Sequence, residues 1–197
     1  MGKIYCIMGK SASGKDTLYK NLLQEINSLG TYVMYTTRPM RAGETEGVEY
    51  HFITDEELSG YEKAGKVIEK RQYNTMRGLW TYCTIDDGQI DLSEKDYLSL
   101  ETLESYKALS SFFGSEKLVP IYLELDDGER LQRALDRERL QKVPHYEEMC
   151  RRFLADSEDF SEEKLLEAGI YKRFDSSDAD KLLRKVKEEF FENDFIQ

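Results

Sequence analysis

The chain has 197 residues, 40% of them apolar and 34% charged, and carries a formal net charge of −11. This length suits one domain with a full core, and the acidic balance excludes a nucleic-acid polymer or an anionic membrane surface as partner, since both demand a basic face. Cys6, Cys83 and Cys150 are odd in number and far apart, without a C-x-x-C, and only two histidines accompany them; that usage argues against a disulfide framework or a zinc site and for a reducing, cytoplasmic setting.

No apolar run reaches transmembrane length, and the N-terminus reads as strand rather than signal peptide. "KIYCIM", Lys3 to Met8, is a short apolar run, the pattern of a buried strand. "GKSASGKDT", Gly9 to Thr17, follows. Leu18, Leu22, Leu23 and Ile26 then recur at helical spacing, with Gly30 as the expected stop. "YVMY", Tyr32 to Tyr35, reads as a second strand.

From there to Trp80 the pattern is mixed and polar. "VEYHFI", "KVIEKRQY" and "WTYCTI" read as strands, and "TDEE" from Thr54 as a capping box opening a short helix. The block predicts a small β-rich insertion. Alternation of strand and helix then resumes. "YLSL" and "LVPIYLEL" are strands separated by the helix "TLESYKALSSFF". "DGERLQRALDRERLQ" is a charged helix broken near Pro144, and "YEEMCRRFLADSEDF" is another. "GIYKRF" is a weak strand, and "DADKLLRKVKEEFFENDF" closes the chain as an amphipathic helix. Such alternation implies a parallel sheet with helices on both faces.

The glycine stretch fits G-x-x-x-x-G-K and sits between an apolar strand and a helix, the setting that a phosphate-binding loop requires. Glycines let backbone N–H groups turn inward as an anion nest, and the helix aims its positive end at the same point. Gly9, Ser11, Ala12, Ser13, Gly14 and Lys15 form the cradle, with Lys15 bridging the terminal phosphates. Ala12 takes a common glycine position, which is tolerable if its φ stays negative. The usual Ser or Thr after the lysine is replaced by Asp16, with Thr17 next in line. Both offer oxygen to magnesium, directly or through water.

Arg38 and Arg41 lie beside a proline and a glycine in "TTRPMRAGETEGVEYHF". Two guanidinium forks at that spacing suit one phosphate, with the Tyr50 hydroxyl as a further donor. The bland alternative is a pair of solvated arginines.

Taken together, the loop and "YTTRPMRAGETEGVEYHF" resemble the guanylate kinases, whose motif S-x-T-T-R-x-x-R-x-G-E-x-x-G-x-x-Y-x-F they match from T-T-R onward, and the likeness extends over nearly the whole chain. The resemblance implies a P-loop NTPase three-layer α/β sandwich with a five-stranded parallel sheet in order 2-3-1-4-5. It also implies a β-rich GMP-binding insertion over about 35–90 and a helical lid over about 137–150. ATP would be the phosphoryl donor and GMP the acceptor, with magnesium as cofactor, in a monomer or homodimer. By the same resemblance Arg38, Arg41 and Tyr50 hold the GMP phosphate, and Glu69 meets guanine. The chemistry is sound, because guanine presents N1–H and N2–H₂ side by side and an ionised carboxylate accepts both. Thr84, in "YCT", is the base-contacting hydroxyl, with "WTY", Trp80 to Tyr82, as an alternative register. The L-D-[IV]-D segment appears as "LSLE", so Ser99 replaces one acid and Glu101 the other. Arg137 and Arg152 best match the lid arginines that cover the transferring phosphoryl group, while Arg133 and Arg151 are as readily solvated helix residues. Asp16 departs from the family, yet adenylate kinases carry G-K-G-T there. The alternatives are a non-catalytic guanylate-kinase-like binding module and a kinase for another small phosphorylated acceptor.

Overall fold

The computed structural model describes residues 2–41, 43–75 and 78–192. In chain order its elements are β1 (Ile4–Gly9), α1 (Lys15–Glu25), β2 (Tyr35–Thr36), β3 (His51–Phe52), α2 (Asp55–Lys63), β4 (Val67–Thr75), β5 (Gly78–Ile85), β6 (Tyr97–Leu100), α3 (Leu103–Phe113), β7 (Leu118–Glu124), α4 (Asp127–Arg139), α5 (Tyr146–Asp159), α6 (Glu162–Glu167), β8 (Phe174–Asp175) and α7 (Ala179–Phe190). The chain divides into two compact units. One holds Tyr5–Leu29, Leu98–Leu103 and the chain from Val119 onward; the other holds the chain up to Ile4, Gly30–Tyr97 and Glu104–Leu118.

The first unit is built on the parallel sheet β6-β1-β7-β8. β1 and β7 are apolar along their length because both of their faces are covered, as in a doubly wound sheet. Alternate side chains separate the two faces. Tyr5 and Ile7 of β1, with Ile121 and Leu123 of β7, pack against Leu18 and Leu22 of α1 and Leu182, Leu183 and Val186 of α7. Tyr122, between the two β7 residues, instead meets the Phe160 ring at 5.6 Å between centroids. The closing helix α7 starts where the Asp178 carboxylate accepts from the N–H groups of Asp180 and Lys181, a side-chain N-cap. The last residues of the amphipathic stretch read at that end, 193–195, lie outside the described residues.

The second unit carries the sheet β3-β2-β5-β4. β4 and β5 form a long antiparallel pair with Glu69 opposite Thr84 and Tyr73 opposite Trp80. Helix α2 covers it through Leu58, which packs with Tyr35, Cys83 and Ile85. The capping box read at Thr54 is present: its hydroxyl accepts from the Glu57 N–H, and the Glu57 carboxylate accepts from the Thr54 N–H.

Three expectations need correction. Among the described residues the parallel sheet has four strands rather than five. The edge strand read at Tyr32 to Tyr35 is reduced to one parallel bridge, Gly30 to Tyr97. The Gln89 side-chain amide takes both the N–H and the C=O of Val33, at 2.9 and 3.2 Å, and so replaces a neighbouring strand there. Tyr35 and Thr36 then join the other sheet. Gly30 is not the stop of α1, which ends at Glu25. Gly30 permits a close approach instead, since a Cβ there would lie 2.8 Å from Lys95 Cε and 2.9 Å from Tyr97 Cε1. The strand read in "GIYKRF" shrinks to Phe174–Asp175, because Arg173 folds back to donate to the Ile170 carbonyl.

Leu22 has no exposed surface, whereas Leu154 on α5 is 70% exposed. Leu22→Ala is expected to cost about 2–5 kcal/mol in urea unfolding, and Leu154→Ala less than about 0.5 kcal/mol. Equal losses would remove Leu22 from the core.

Candidate active site

The first unit holds the loop between β1 and α1. Gly9 ends the strand at φ 149°, and a Cβ there would come within 2.7 Å of the Leu123 carbonyl oxygen. Gly14 is left-handed at φ 91° and no side chain caps α1, so the first N–H groups of the helix are left for a ligand. The Ser13 hydroxyl is buried without a hydrogen-bond partner. A buried orphan of this kind in a nest of N–H groups fits a phosphate oxygen. Lys15 Nζ donates to the carbonyls of Gly9, at 2.7 Å, and Lys10, at 3.1 Å. Burial pulls its pKa down, an effect that Asp156 and Asp16 oppose and Arg130 and Arg137 reinforce. Asp16 and Thr17 are exposed on the first turn of α1.

Ala12 corrects the condition set for it: its φ is +64°, the left-handed region. Its Cβ is therefore strained where the usual glycine is not.

Helices α4 and α5 brace this loop. Arg130 is only 1% exposed, and its Nε donates to the Ser11 carbonyl at 3.2 Å. Its fork reaches Asp127 and, at 3.4 Å, Asp156. Asp156 in turn accepts from the Ser11 N–H at 2.6 Å. A cavity of about 460 Å³ lies against the loop, lined by Ser11, Arg137, His145, Glu148, Met149 and Arg152. Arg152 and Arg151 both bond Glu148, which they hold down to a pKa of about 2. Of the two, Arg152 lines the cavity. Arg133 donates to the carbonyls of Ser176 and Ser177 and lines a second cavity, about 170 Å³, with Ser13, Gly14 and Thr17. Arg133 thus lies beside the loop residues, whereas the Arg151 side chain is exposed.

Glu101, 4% exposed, follows β6 and donates its N–H to the Ile7 carbonyl beside the loop strand. The buried Cys6 thiol is pushed up by burial and then by the Glu101 charge, while Ser99 Oγ donates to its sulfur.

The second unit gathers the acceptor-side residues into two groups. Arg38 is 3% exposed, pairs with Glu44 through both guanidinium ends at 2.9 and 2.8 Å, and lies 5.4 Å from the Tyr50 ring centroid. Its Nε is buried without a partner, so one donor remains to be satisfied. The Arg41 N–H also reaches Glu44, while its side chain is exposed. In the other group Glu69, 5% exposed, accepts from Arg71 Nε at 3.1 Å, Arg71 Nη2 at 3.2 Å and the Thr84 hydroxyl at 3.1 Å. Thr84 is thus beside the carboxylate, and Trp80 lies further along β5 opposite Tyr73.

Arg71, Glu44, Arg130 and Asp156 are not among the residues singled out from the sequence. Glu44 sits within the quoted arginine motif and was legible as its acid. Arg71 is signalled only by strand alternation, which puts it on the face of Glu69. Nothing local marks Arg130 or Asp156 among the many charges of their helices.

A family model described as guanylate kinase matches residues 1–84. Guanylate kinase of Legionella pneumophila (strain Lens) is 40% identical over 68 residues, 34% of this chain and 32% of that relative. The chain thus matches about a third of the length of that curated relative. Guanylate kinase of Pseudomonas fluorescens is 29% identical over 171 residues, 81% of this chain and 82% of its own. The crystal structure of guanylate kinase from Anaplasma phagocytophilum superposes with a TM-score of 0.64, covering 95% of this chain and 84% of its own at 17% identity. That likeness establishes the fold. The chain is similar to guanylate kinases in sequence over these spans and in fold.

The strain at Ala12 has a direct test. Ala→Gly usually destabilises through the unfolded chain, but at a positive φ the sign reverses. Ala12→Gly is expected to raise stability by about 0.5–1 kcal/mol in calorimetry. A clear drop in melting temperature would show that the alanine is unstrained.

Proposed function

We propose that this protein, similar to the guanylate kinases, transfers the γ-phosphoryl group of ATP to GMP, giving ADP and GDP. The observation that carries the reading is Arg38, a buried guanidinium with one unsatisfied donor, next to Tyr50 and within the arginine motif. Arg38, Arg41 and Tyr50 are assigned to the acceptor phosphate, and Glu69 and Thr84 to the base. Glu101 belongs to the acidic group near base and metal. Gly9 through Lys15 cradle the donor phosphates, and Lys15, Arg137 and Arg152 neutralise charge that develops on the transferring group. Such catalysis consists of alignment and electrostatic stabilisation. The retained loop and Lys15 disfavour a non-catalytic binding module.

Magnesium suits the hard oxygen donors of Asp16 and Thr17 and would shield the phosphate charge when bound. Residues 35–90 are assigned as the acceptor-binding insertion and 137–150 as the lid. No helix of the described residues is long and apolar enough to cross a membrane. Three free cysteines fit a cytoplasmic setting. We assign a monomer or homodimer.

A coupled ADP-release assay over GMP, AMP, CMP and UMP tests the reading, with GMP expected to be the best acceptor. Arg38→Lys keeps the charge but loses the Nε donor and the fork that holds Glu44, and is expected to raise the KM for GMP about tenfold or more while the KM for ATP stays within about twofold. Equal weakening of both substrates would remove Arg38 from the acceptor site.

Asp16 is tested through its metal. Asp16→Ala should need more magnesium for half-maximal rate at saturating ATP and GMP, because an oxygen ligand near the ion is lost. An unchanged magnesium requirement would leave Asp16 as a residue favoured only by the helix dipole.

A further inference from the structure

Glu69 and Arg71 stand two residues apart on β4, so their side chains share a face of the sheet. The Arg71 fork grips both carboxylate oxygens of Glu69, and the Thr84 hydroxyl adds a third donor. The Glu69 side chain is 2% exposed and that of Arg71 10%, so the guanidinium is part of what covers the carboxylate. A carboxylate offers about four lone-pair sites. With at least three occupied, guanine cannot seat both N1–H and N2–H₂ on Glu69 without displacing a protein donor.

A base-reading carboxylate discriminates steeply when the wrong base leaves it desolvated and unpaired. Here Arg71 keeps Glu69 paired whichever base is present, and that penalty is removed. We propose that Arg71 is a specificity-setting positioning residue that competes with the base for Glu69 and relaxes discrimination among purine monophosphates. The inference rests on the proposed acceptor site. It assigns to Arg71 an effect on base selectivity and none on phosphoryl transfer itself.

Inosine monophosphate is the sharpest probe, because it differs from GMP only in lacking the 2-amino donor. Steady-state kinetics with both nucleotides should give a parent kcat/KM preference for GMP of no more than about tenfold, well short of the about 10⁴-fold that a dedicated hydrogen-bonding site reaches. Arg71→Met should raise that preference at least about tenfold, through KM and with kcat nearly unchanged. Arg71→Lys keeps a charged donor on Glu69 but loses the fork, and its preference should fall between those of the parent and Arg71→Met. Glu69→Gln should change the GMP preference by less than about threefold in the parent but by more than about tenfold with Arg71→Met, a coupling that a purely structural role would not produce. An unchanged or smaller preference in Arg71→Met overturns the proposal, as does an equal KM rise for both nucleotides, which would make Arg71 a direct base ligand. If Arg71→Met does not fold, a tenfold loss of preference in Glu69→Gln alone overturns it. A parent that phosphorylates neither nucleotide rejects the acceptor assignment itself, a result distinct from any failure of Arg71.

Discussion

The guanidinium of Arg130 holds the loop between β1 and α1 in register. A charge with 1% exposure is sustainable only if its donors are met, and three structures meet them: the loop through the Ser11 carbonyl, α4 through Asp127 and α5 through Asp156. The Phe153 ring lies 4.7 Å from its carbon. The loop therefore does not hang from its glycines alone. One buried cation fixes its outer side to the two helices that carry Arg137 and Arg152, and Asp156 closes the circuit by accepting from the Ser11 N–H. Pre-positioning of this kind is what a site made of backbone donors needs, because backbone amides gain strength as ligands only when they need not reorganise.

The central fold is legible from the sequence where periodicity and burial agree. β1, β7 and the apolar face of α1 are such cases, with hydrophobic runs that only a doubly covered sheet explains. The break between α4 and α5 around Pro144 and the capping box at Thr54 are legible for local reasons. Legibility fails where a distant side chain overrides the local pattern. The Gln89 amide takes the ladder groups of Val33, so an apolar run with strand character does not become a strand. The same holds in the site. Gly9, Gly14 and Lys15 announce themselves by spacing, but the partner of Glu69 depends on which face of β4 is turned inward and which rotamer Arg71 adopts.

Two departures concentrate at the loop. Ala12 retains a left-handed backbone without the residue that makes it cheap, and Asp16 brings a carboxylate to a position usually held by a hydroxyl. Backbone strain such as that at Ala12 persists only where the surroundings over-determine the geometry. Here Arg130, Asp156 and the half-buried Lys15 supply that determination, with Lys15 tied to two loop carbonyls.

The Arg38–Glu44 fork has a bearing on acidity. Glu44 is held down to a pKa of about 2, first by the Arg38 side chain and then by the Arg41 N–H. A depressed carboxylate contributes stability above its unfolded value of about 4.3 and loses it only as pH falls toward the folded value. Between neutrality and mild acid the clamp is thus electrically constant, with a cation and an anion that do not titrate. A phosphate monoester does titrate there, with a second ionisation near about 6. The Arg38–Glu44 clamp thus adds no proton dependence of its own to ligand capture in that range, where it behaves as a fixed dipole, while the ligand's own charge changes.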